Sequence, residues 1–546
     1  MASIDALPAI ESKSITTDAQ SKSNREAWAP VLDKYEGFLK DTTSEGTDIS
    51  LRRHQARGQL LARDRVSLLL DPDSPFLELC SFAGFGLKDS SPCASLVAGI
   101  GSVCGRLCLI RSHIPSQSGG AWNEHTVLKQ NRVTEIANEN NLPIIALIQS
   151  AGVFLPQQFR VFHKGGQLFR DLALRSAHGK PTCSIVFGSS TAGGAYDPAL
   201  SDYTIFVKDQ AQVFLGGPPL VKMATGEVID AEALGGASIH GSVTGLADQI
   251  ATDEFDAIRK ARDWVLTLAA DDAAAALALP TRRLSPPLEP RYSPEEILSL
   301  VNPDIRKPFD MKEALLRIVD DSRILFFKPE YGRNLVTGFT RIQGIPTAII
   351  ANQTPVIHAD EAAKGAQFIR LCNQQKTPIV FLHNVTGFMV GSKAEHSGII
   401  KRGAQFVSAV SCSTVPHISI ILGASYGAGN YAMCGRAYRP RFLFTWPIGR
   451  CSVMGPDQLA GVMRTVESNS AKAKGVQLRA EDLDARVARF RDGVQTDSEC
   501  YRTSSVLLDD GVIDPRDTRD VLAMCLEIVQ NAPIEGAPAH RALARM

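Results

Sequence analysis

Residues 141–152 read Asn-Leu-Pro-Ile-Ile-Ala-Leu-Ile-Gln-Ser-Ala-Gly, and residues 376–387 read Lys-Thr-Pro-Ile-Val-Phe-Leu-His-Asn-Val-Thr-Gly. In each, a proline opens a short apolar run and a glycine closes it, the pattern of a buried strand bounded by turn residues. Pro143 and Pro378 lie 235 residues apart, and so do Gly152 and Gly387. The register persists downstream: Pro181 and Pro416, Gly188 and Gly423, Gly194 and Gly429, Tyr196 and Tyr431 keep the same offset. Upstream, Gly99 and Gly105 pair with Gly338 and Gly344 at an offset of 239, which a four-residue length difference explains. Six coincidences in one register indicate an internal duplication. Each half is expected to be an α/β unit with strands at Ile144–Ile148 and Cys183–Phe187, and at Ile379–Leu382 and Ile418–Leu422.

Between the halves, Pro280, Pro286, Pro287, Pro290 and Pro294 crowd one stretch and mark a linker. An Ala-rich helix, Asp271 to Leu279, is expected to enter it. Ser293-Pro294-Glu295-Glu296 then reads as an N-cap, a proline in the first turn and acids on the helix dipole. The expected organisation is a disordered tail over residues 1–27, one domain over 28–284 and a second over 289–546.

At 546 residues the chain exceeds what one core holds. Its composition, 44% hydrophobic and 21% charged, is that of a globular protein, and its net charge of +0 offers no basic field for nucleic acid or anionic membrane. No apolar run reaches the roughly 18 residues of a membrane span. The 11 cysteines are scattered, with no C-x-x-C, so neither a disulfide framework nor a metal site is expected, and a reducing compartment is. Residues 1–23 contain acids but no arginine, which does not support mitochondrial targeting. The C-terminal Ala544-Arg545-Met546 resembles a degenerate peroxisomal tripeptide, leaving the cytoplasm or the peroxisomal matrix as the expected location.

The chemistry concentrates in two glycine loops. Ser189-Ser-Thr191-Ala192-Gly193-Gly194-Ala195 and Ala424-Ser-Tyr426-Gly427-Ala428-Gly429-Asn430 each follow a strand and open a helix. Backbone N–H groups gathered there, with a helix dipole behind them, hold a phosphate or a thioester oxyanion. A tight turn would account for one Gly-Gly, but not for two equivalent loops. Gly423-Ala-Ser425-Tyr-Gly427 also matches a nucleophile elbow, yet the only histidine after Ser425 is His540, too near the end for a triad. His383 is expected to be a satisfied core residue. Lys364, before Gly365 in a helix-like run, is a candidate for a CoA phosphate, against the plainer reading of a solvated lysine.

These residues sit among longer motifs that resemble the carboxyltransferase (β) subunits of biotin-dependent acyl-CoA carboxylases. Arg53-His-Gln-Ala-Arg57-Gly58 and Leu70-Asp-Pro72 resemble their opening, and Gly216-Gly-Pro218-Pro219 with Leu234-Gly-Gly236 their interior. Thr386-Gly387-Phe388-Met389-Val390-Gly391, Tyr426 to Tyr431, Met433-Cys-Gly-Arg436-Ala-Tyr438 and Ser452-Val-Met454-Gly455 resemble the 3-methylcrotonoyl-CoA and geranyl-CoA types. The resemblance implies two tandem crotonase-like domains in a hexamer whose sites combine the N-domain of one chain with the C-domain of another. It implies carboxyl transfer from carboxybiotin, carried on a separate biotin carboxylase (α) subunit, to a branched enoyl- or acyl-CoA. No side-chain base is needed. Gly193 and Gly194 would serve the biotin ureido oxygen, and Ala428 and Gly429 the thioester oxygen, with Ala151, Gly152, Thr191, Ala192, Phe388, Met389, Val390, Tyr426 and Gly427 around the ligands.

Three stretches depart from the family pattern: Gln149-Ser150-Ala151 in place of an acid and a glycine, Gly119-Gly120-Ala121-Trp122-Asn123-Glu124, and Asn352-Gln353-Thr354. They leave open a repurposed paralogue doing biotin-independent acyl-CoA enolate chemistry, or a non-catalytic assembly subunit. Neither a biotinyl Ala-Met-Lys-Met segment nor an ATP site is present in the sequence.

Overall fold

The computed structural model describes residues 7–276, 286–474 and 479–537. The chain divides into two units, Gly37–Thr281 with Ser505–Leu507, and Met1–Glu36 with Arg282–Ser504 and Leu508–Met546. The expected peroxisomal tripeptide, His540, and the end of the Ala-rich helix beyond Ala276 lie outside the described residues.

The first unit is built on strands β1 (Phe76–Glu78), β2 (Leu96–Val103), β3 (Arg106–His113), β4 (Ile144–Ser150), β5 (Thr182–Thr191), β6 (Tyr203–Val207), β7 (Gln212–Phe214) and β8 (Gln249–Ala251). Its sheet runs β1-β2-β3-β4-β5-β6-β8, with β7 beside the end of β5. The second unit contains β9 (Leu325–Phe326), β10 (Leu335–Ile342), β11 (Ile345–Asn352), β12 (Val356–Ile357), β13 (Ile379–Val385), β14 (Gly387–Phe388), β15 (His417–Tyr426), β16 (Phe442–Thr445) and β17 (Arg450–Ser452). Its sheet runs β9-β10-β11-β13-β15-β16, with β17 beside the end of β15. In both, an antiparallel hairpin leads into parallel strands, so the duplication read from the 235-residue offset is a duplicated topology.

Each expected strand is present and longer than its apolar run. β4 is buried along its whole length, as a parallel strand covered on both faces must be. One face packs Ile145, Leu147, Ile185 and Phe187 against Val66 and Leu69 from helix Ala62–Leu69 and Ala257, Ala261 and Val265 from helix Glu254–Ala276. In the second unit, Ile350, Phe381 and Val385 pack with Ala366, Ile369 and Phe406 from helices Ala359–Gln375 and Ile399–Ser411.

The hairpin tips repeat at atomic level. Cys104 and Gly105 turn at φ +52° and +77°, Gln343 and Gly344 at +51° and +77°. Asp71 accepts from the N–H groups of Cys104 and Gly105 at 2.7 and 2.8 Å, and Asp320 from those of Gln343 and Gly344 at 2.8 and 2.7 Å. Each carboxylate also pairs with an arginine at 2.8 Å, Arg262 in one unit and Arg519 in the other.

The N-terminal segment corrects the expectation of a disordered tail. Helix Ala19–Thr43 begins well before residue 28. Ahead of it, the N–H of Ile10 donates to the Ser322 carbonyl at 3.2 Å, and Ser12 Oγ donates to Glu313 at 2.6 Å. Buried Asn24 donates to the Ser299 carbonyl and buried Trp28 to the Val301 carbonyl, both at 2.7 Å. Residues up to Glu36 therefore group with the second unit rather than the first. Polar composition hid this because residues 10–25 are held by backbone carbonyls and by polar side chains such as Glu313, Tyr292 and Ser299. After the linker, Ser293 caps as expected by accepting from the Glu295 N–H, but the turn it opens is a 3₁₀ turn ahead of helix Ile297–Leu300.

Candidate functional site

Both glycine loops leave the C-terminal end of a buried strand and turn through one left-handed residue. In the first unit that residue is Ala192, at φ +53°; 235 residues on it is Gly427, at φ +55°. A non-glycine residue in this conformation costs about 1–2 kcal/mol, so the turn is imposed on Ala192 by its surroundings. Helical turns follow at Ala192–Ala195 and Gly427–Ala432. The first N–H groups of such turns have no partner within the helix. Gly193 and Ala428 therefore occupy equivalent accessible positions, and Gly194 and Gly429 equivalent buried ones.

The neighbouring strand end frames each loop. Ser150 on β4 is opposite Ser190 on β5, and Val385 on β13 opposite Ser425 on β15. A Cβ on Gly152 would come within 2.9 Å of the Thr191 carbonyl oxygen. A Cβ on Gly429 would come within 2.6 Å of Val385 Cγ2 and 3.2 Å of Gly387 Cα. The structure thus gathers Ala151, Gly152, Thr191, Ala192, Gly193 and Gly194 at one place in the first unit. In the second unit the expected residues separate. Tyr426 lines a cleft of about 650 Å³ with Ile305, Arg450 and Tyr501, whereas Met389 and Val390 line another of about 600 Å³ with His358, Asp360 and Lys393. Phe388 turns inward against the Ala359, Ala394 and Ile399 cluster.

Lys364 fits neither of its two readings. Its amine is buried and donates to the carbonyls of Gly332 and Leu335 at 3.2 and 2.8 Å, and burial brings its pKa down to about 8. It ties helix Ala359–Gln375 to the start of β10.

Two of the departures from the family pattern are physical neighbours. The Ala151 N–H donates to the Gly119 carbonyl at 2.9 Å, the Trp122 N–H to the Gly152 carbonyl at 2.8 Å, and the Phe154 N–H to the Trp122 carbonyl at 2.9 Å. Gln149 faces away from this junction. Its Oε1 accepts from Arg65 Nη1 at 3.0 Å, its Nε2 donates to Gln59 at 3.0 Å, and its side chain lies against Gly188. In the third, Asn352 Oδ1 accepts from the Asn384 N–H at 3.1 Å.

Sequence reasoning missed the walls. Phe169, from helix Gln158–Ala177, has its Cζ 3.5 Å from where a Cβ on Gly193 would stand. Its ring lies 5.6 Å from Tyr196 and 6.4 Å from Trp122. The amphipathic pattern of that helix marks a buried face but not which residue reaches the loop. In the second unit, Pro30, Val31 and Lys34 of the N-terminal helix line the 650 Å³ cleft. The apolar residues Trp28, Val31, Tyr35 and Phe38 at helical spacing were the available signal.

Buried histidines stand behind the loops rather than in them. Trp122 Nε1 donates to His113 Nε2 at 2.9 Å, and burial lowers the His113 pKa to about 3. His383 is lowered to about 3 by the same cause. Both are neutral at physiological pH.

The carboxyl transferase domain model matches residues 53–543. The chain belongs to the carboxyl transferase family. It is 48% identical over 525 residues to a probable biotin-dependent acyl-coenzyme A carboxylase beta2 subunit of Mycobacterium tuberculosis, covering 95% of this chain and 98% of the relative. It is 43% identical to the methylcrotonoyl-CoA carboxylase beta chain of Arabidopsis thaliana, covering 94% and 88%. Its fold matches the crystal structure of the P. aeruginosa geranyl-CoA carboxylase beta subunit with a TM-score of 0.88 at 38% identity, over 98% of this chain and 100% of that one. The duplicated crotonase-like carboxyltransferase architecture is therefore established for this member of the family. No helix among the described residues is long and apolar enough to cross a membrane.

Proposed function

We propose that this protein is the carboxyltransferase component of a biotin-dependent acyl-CoA carboxylase, of the 3-methylcrotonoyl-CoA and geranyl-CoA type. The observation that carries the reading is the matched pair of loops, with the same left-handed turn at Ala192 and Gly427 and the same two N–H positions after it. Two loops suit a reaction in which two oxygens gain negative charge, one on the thioester and one on the ureido group. Carboxybiotin, delivered on a separate carrier subunit, would supply the CO2 and a ureido base for the acyl-CoA proton. The chain itself holds the two oxygens, orients the acyl group and excludes water.

We place the thioester at Gly193 and Gly194 and the ureido oxygen at Ala428 and Gly429, the reverse of the expectation from motif matching. Support comes from Phe169 beside Gly193, with the Tyr196 ring against it, an apolar surface that suits an acyl group. The cleft beside Tyr426 instead has a rim of Lys34, Asp304, Arg306, Arg450 and Glu499, which suits a polar ligand.

Co-purification with a biotinylated α subunit, and ATP-dependent fixation of bicarbonate into a branched enoyl-CoA, test the proposal. Turnover of an acyl-CoA by the isolated chain without biotin would overturn it in favour of biotin-independent enolate chemistry. The resemblance also points to a hexamer of the 58.9 kDa chain. Light scattering should show it, and a stable active monomer would rule it out. Phe169→Ala should raise the ratio of kcat/KM for a ten-carbon over a five-carbon branched enoyl-CoA about tenfold, the worth of roughly one further methylene accommodated (~1.4 kcal/mol). A change confined to the biotin side would refute this placement of the thioester.

A further inference from the structure

Ser425 was set aside as a nucleophile for want of a later histidine, yet the structure brings an earlier one to it. His383 Nδ1 lies 2.9 Å from Ser425 Oγ, and Asn430 Nδ2 donates to the same oxygen at 2.8 Å. Both Ser425 and His383 are fully buried, so the hydroxyl meets no substrate and the nucleophile reading fails on access. An amide N–H can only donate, so Ser425 accepts from Asn430. A second lone pair and a hydrogen remain on its oxygen, so either neutral tautomer of the ring makes the bond to His383 Nδ1, and burial keeps the ring neutral.

Asn430 is the residue directly after Gly429. Its carbonyl accepts from the Gly435 N–H at 2.8 Å, so its backbone and side chain are both held. The duplicated half supplies a control. Ser190, at the equivalent position 235 residues earlier, donates directly to the Gly194 carbonyl at 2.9 Å. Each half therefore uses the serine at the end of its loop-bearing strand to hold the loop. One bonds loop backbone directly, the other through an asparagine whose acceptor is oriented by a histidine.

We propose that Ser425 and His383 are positioning residues for the second glycine loop, acting through Asn430 to fix the direction of the Ala428 and Gly429 N–H groups. For catalysis the inference rests on the carboxyltransferase reading; for loop order it does not. Two measurements on the assembled enzyme separate these. Hydrogen exchange of the segment 424–435 should quicken about tenfold in Ser425→Ala and in His383→Leu, with the rest of the chain unchanged. In carboxylation assays the same variants should lose kcat tenfold or more while KM for the acyl-CoA stays within about twofold. His383→Gln, whose amide can replace the ring nitrogen as acceptor or donor toward Ser425, should recover most of both losses. The double variant should be no worse than either single one, because all three remove one chain of contacts. Unchanged exchange at 424–435 in folded Ser425→Ala would overturn the inference. So would a loss spread over the whole chain and not recovered by glutamine. Normal exchange effects with no carboxylation by the wild type would instead count against the carboxyltransferase reading alone.

Discussion

Gly429→Val is expected to cut kcat by about 10²–10³, the usual loss when one oxyanion donor is misdirected. The steric reason is explicit. A Cβ on Gly429 would stand 2.6 Å from Val385 Cγ2 and 3.2 Å from Gly387 Cα, so the loop must move off the end of β13. Two branched methyls enlarge that displacement, and the N–H groups of Ala428 and Gly429 move with it. Gly194→Val should cause a similar loss of turnover at less cost in stability. The nearest atom to a Cβ there is Ser190 Oγ at 3.1 Å, a side chain that can rotate. The rotation breaks its bond to the Gly194 carbonyl and so still disturbs the loop. Steady-state kinetics together with thermal melts decide the matter. Wild-type kcat in either folded variant would remove these loops from the catalytic site.

The loops could be found in the sequence because strand and turn signals are local. Proline, a β-branched run and glycine fixed β4, β5, β13 and β15 within a few residues, and the 235-residue offset carried the duplication without any knowledge of contacts. What could not be read is where side chains point once the sheet is packed. Gln149 ends a strand next to the expected pocket, yet the strand's alternation turns it to Arg65 and Gln59 on the inner side. Lys364 shows the same limit, since a lysine in a helical run carries no sign of the two carbonyls it will meet. The start of the N-terminal helix was misread from its polar composition, because hydrogen bonds such as Asn24 to the Ser299 carbonyl leave no hydrophobic signature. His383 and Ser425 lie 42 residues apart on adjacent parallel strands, and only register brings them together.

Register also gives the amide at position 149 a role, through the charge that Arg65 needs. Its guanidinium is fully buried, stacked 4.2 Å from the Phe187 ring. Two parallel bonds of 2.8 Å reach Glu254, and a third of 3.0 Å reaches Gln149 Oε1. Glu254 thus carries the negative charge, and the neutral amide completes the donor set without adding a second. Removing one partner of such a pair leaves an uncompensated buried charge, which costs about 3–5 kcal/mol. Glu254→Ala should therefore destabilise the first unit by that amount, seen as a lower denaturant midpoint. It also deprives the Leu60 N–H of its acceptor at 3.2 Å. Gln149→Glu, nearly isosteric, then places a carboxylate 3.0 Å from Arg65 Nη1 and should restore more than half of the loss. In the wild-type background the same change crowds two carboxylates onto one guanidinium and should be neutral or destabilising. The opposite sign of one substitution in two backgrounds is the signature of a shared counter-charge. A loss below about 1 kcal/mol for Glu254→Ala, or equal effects of Gln149→Glu in both backgrounds, would show that Arg65 draws its compensation from elsewhere.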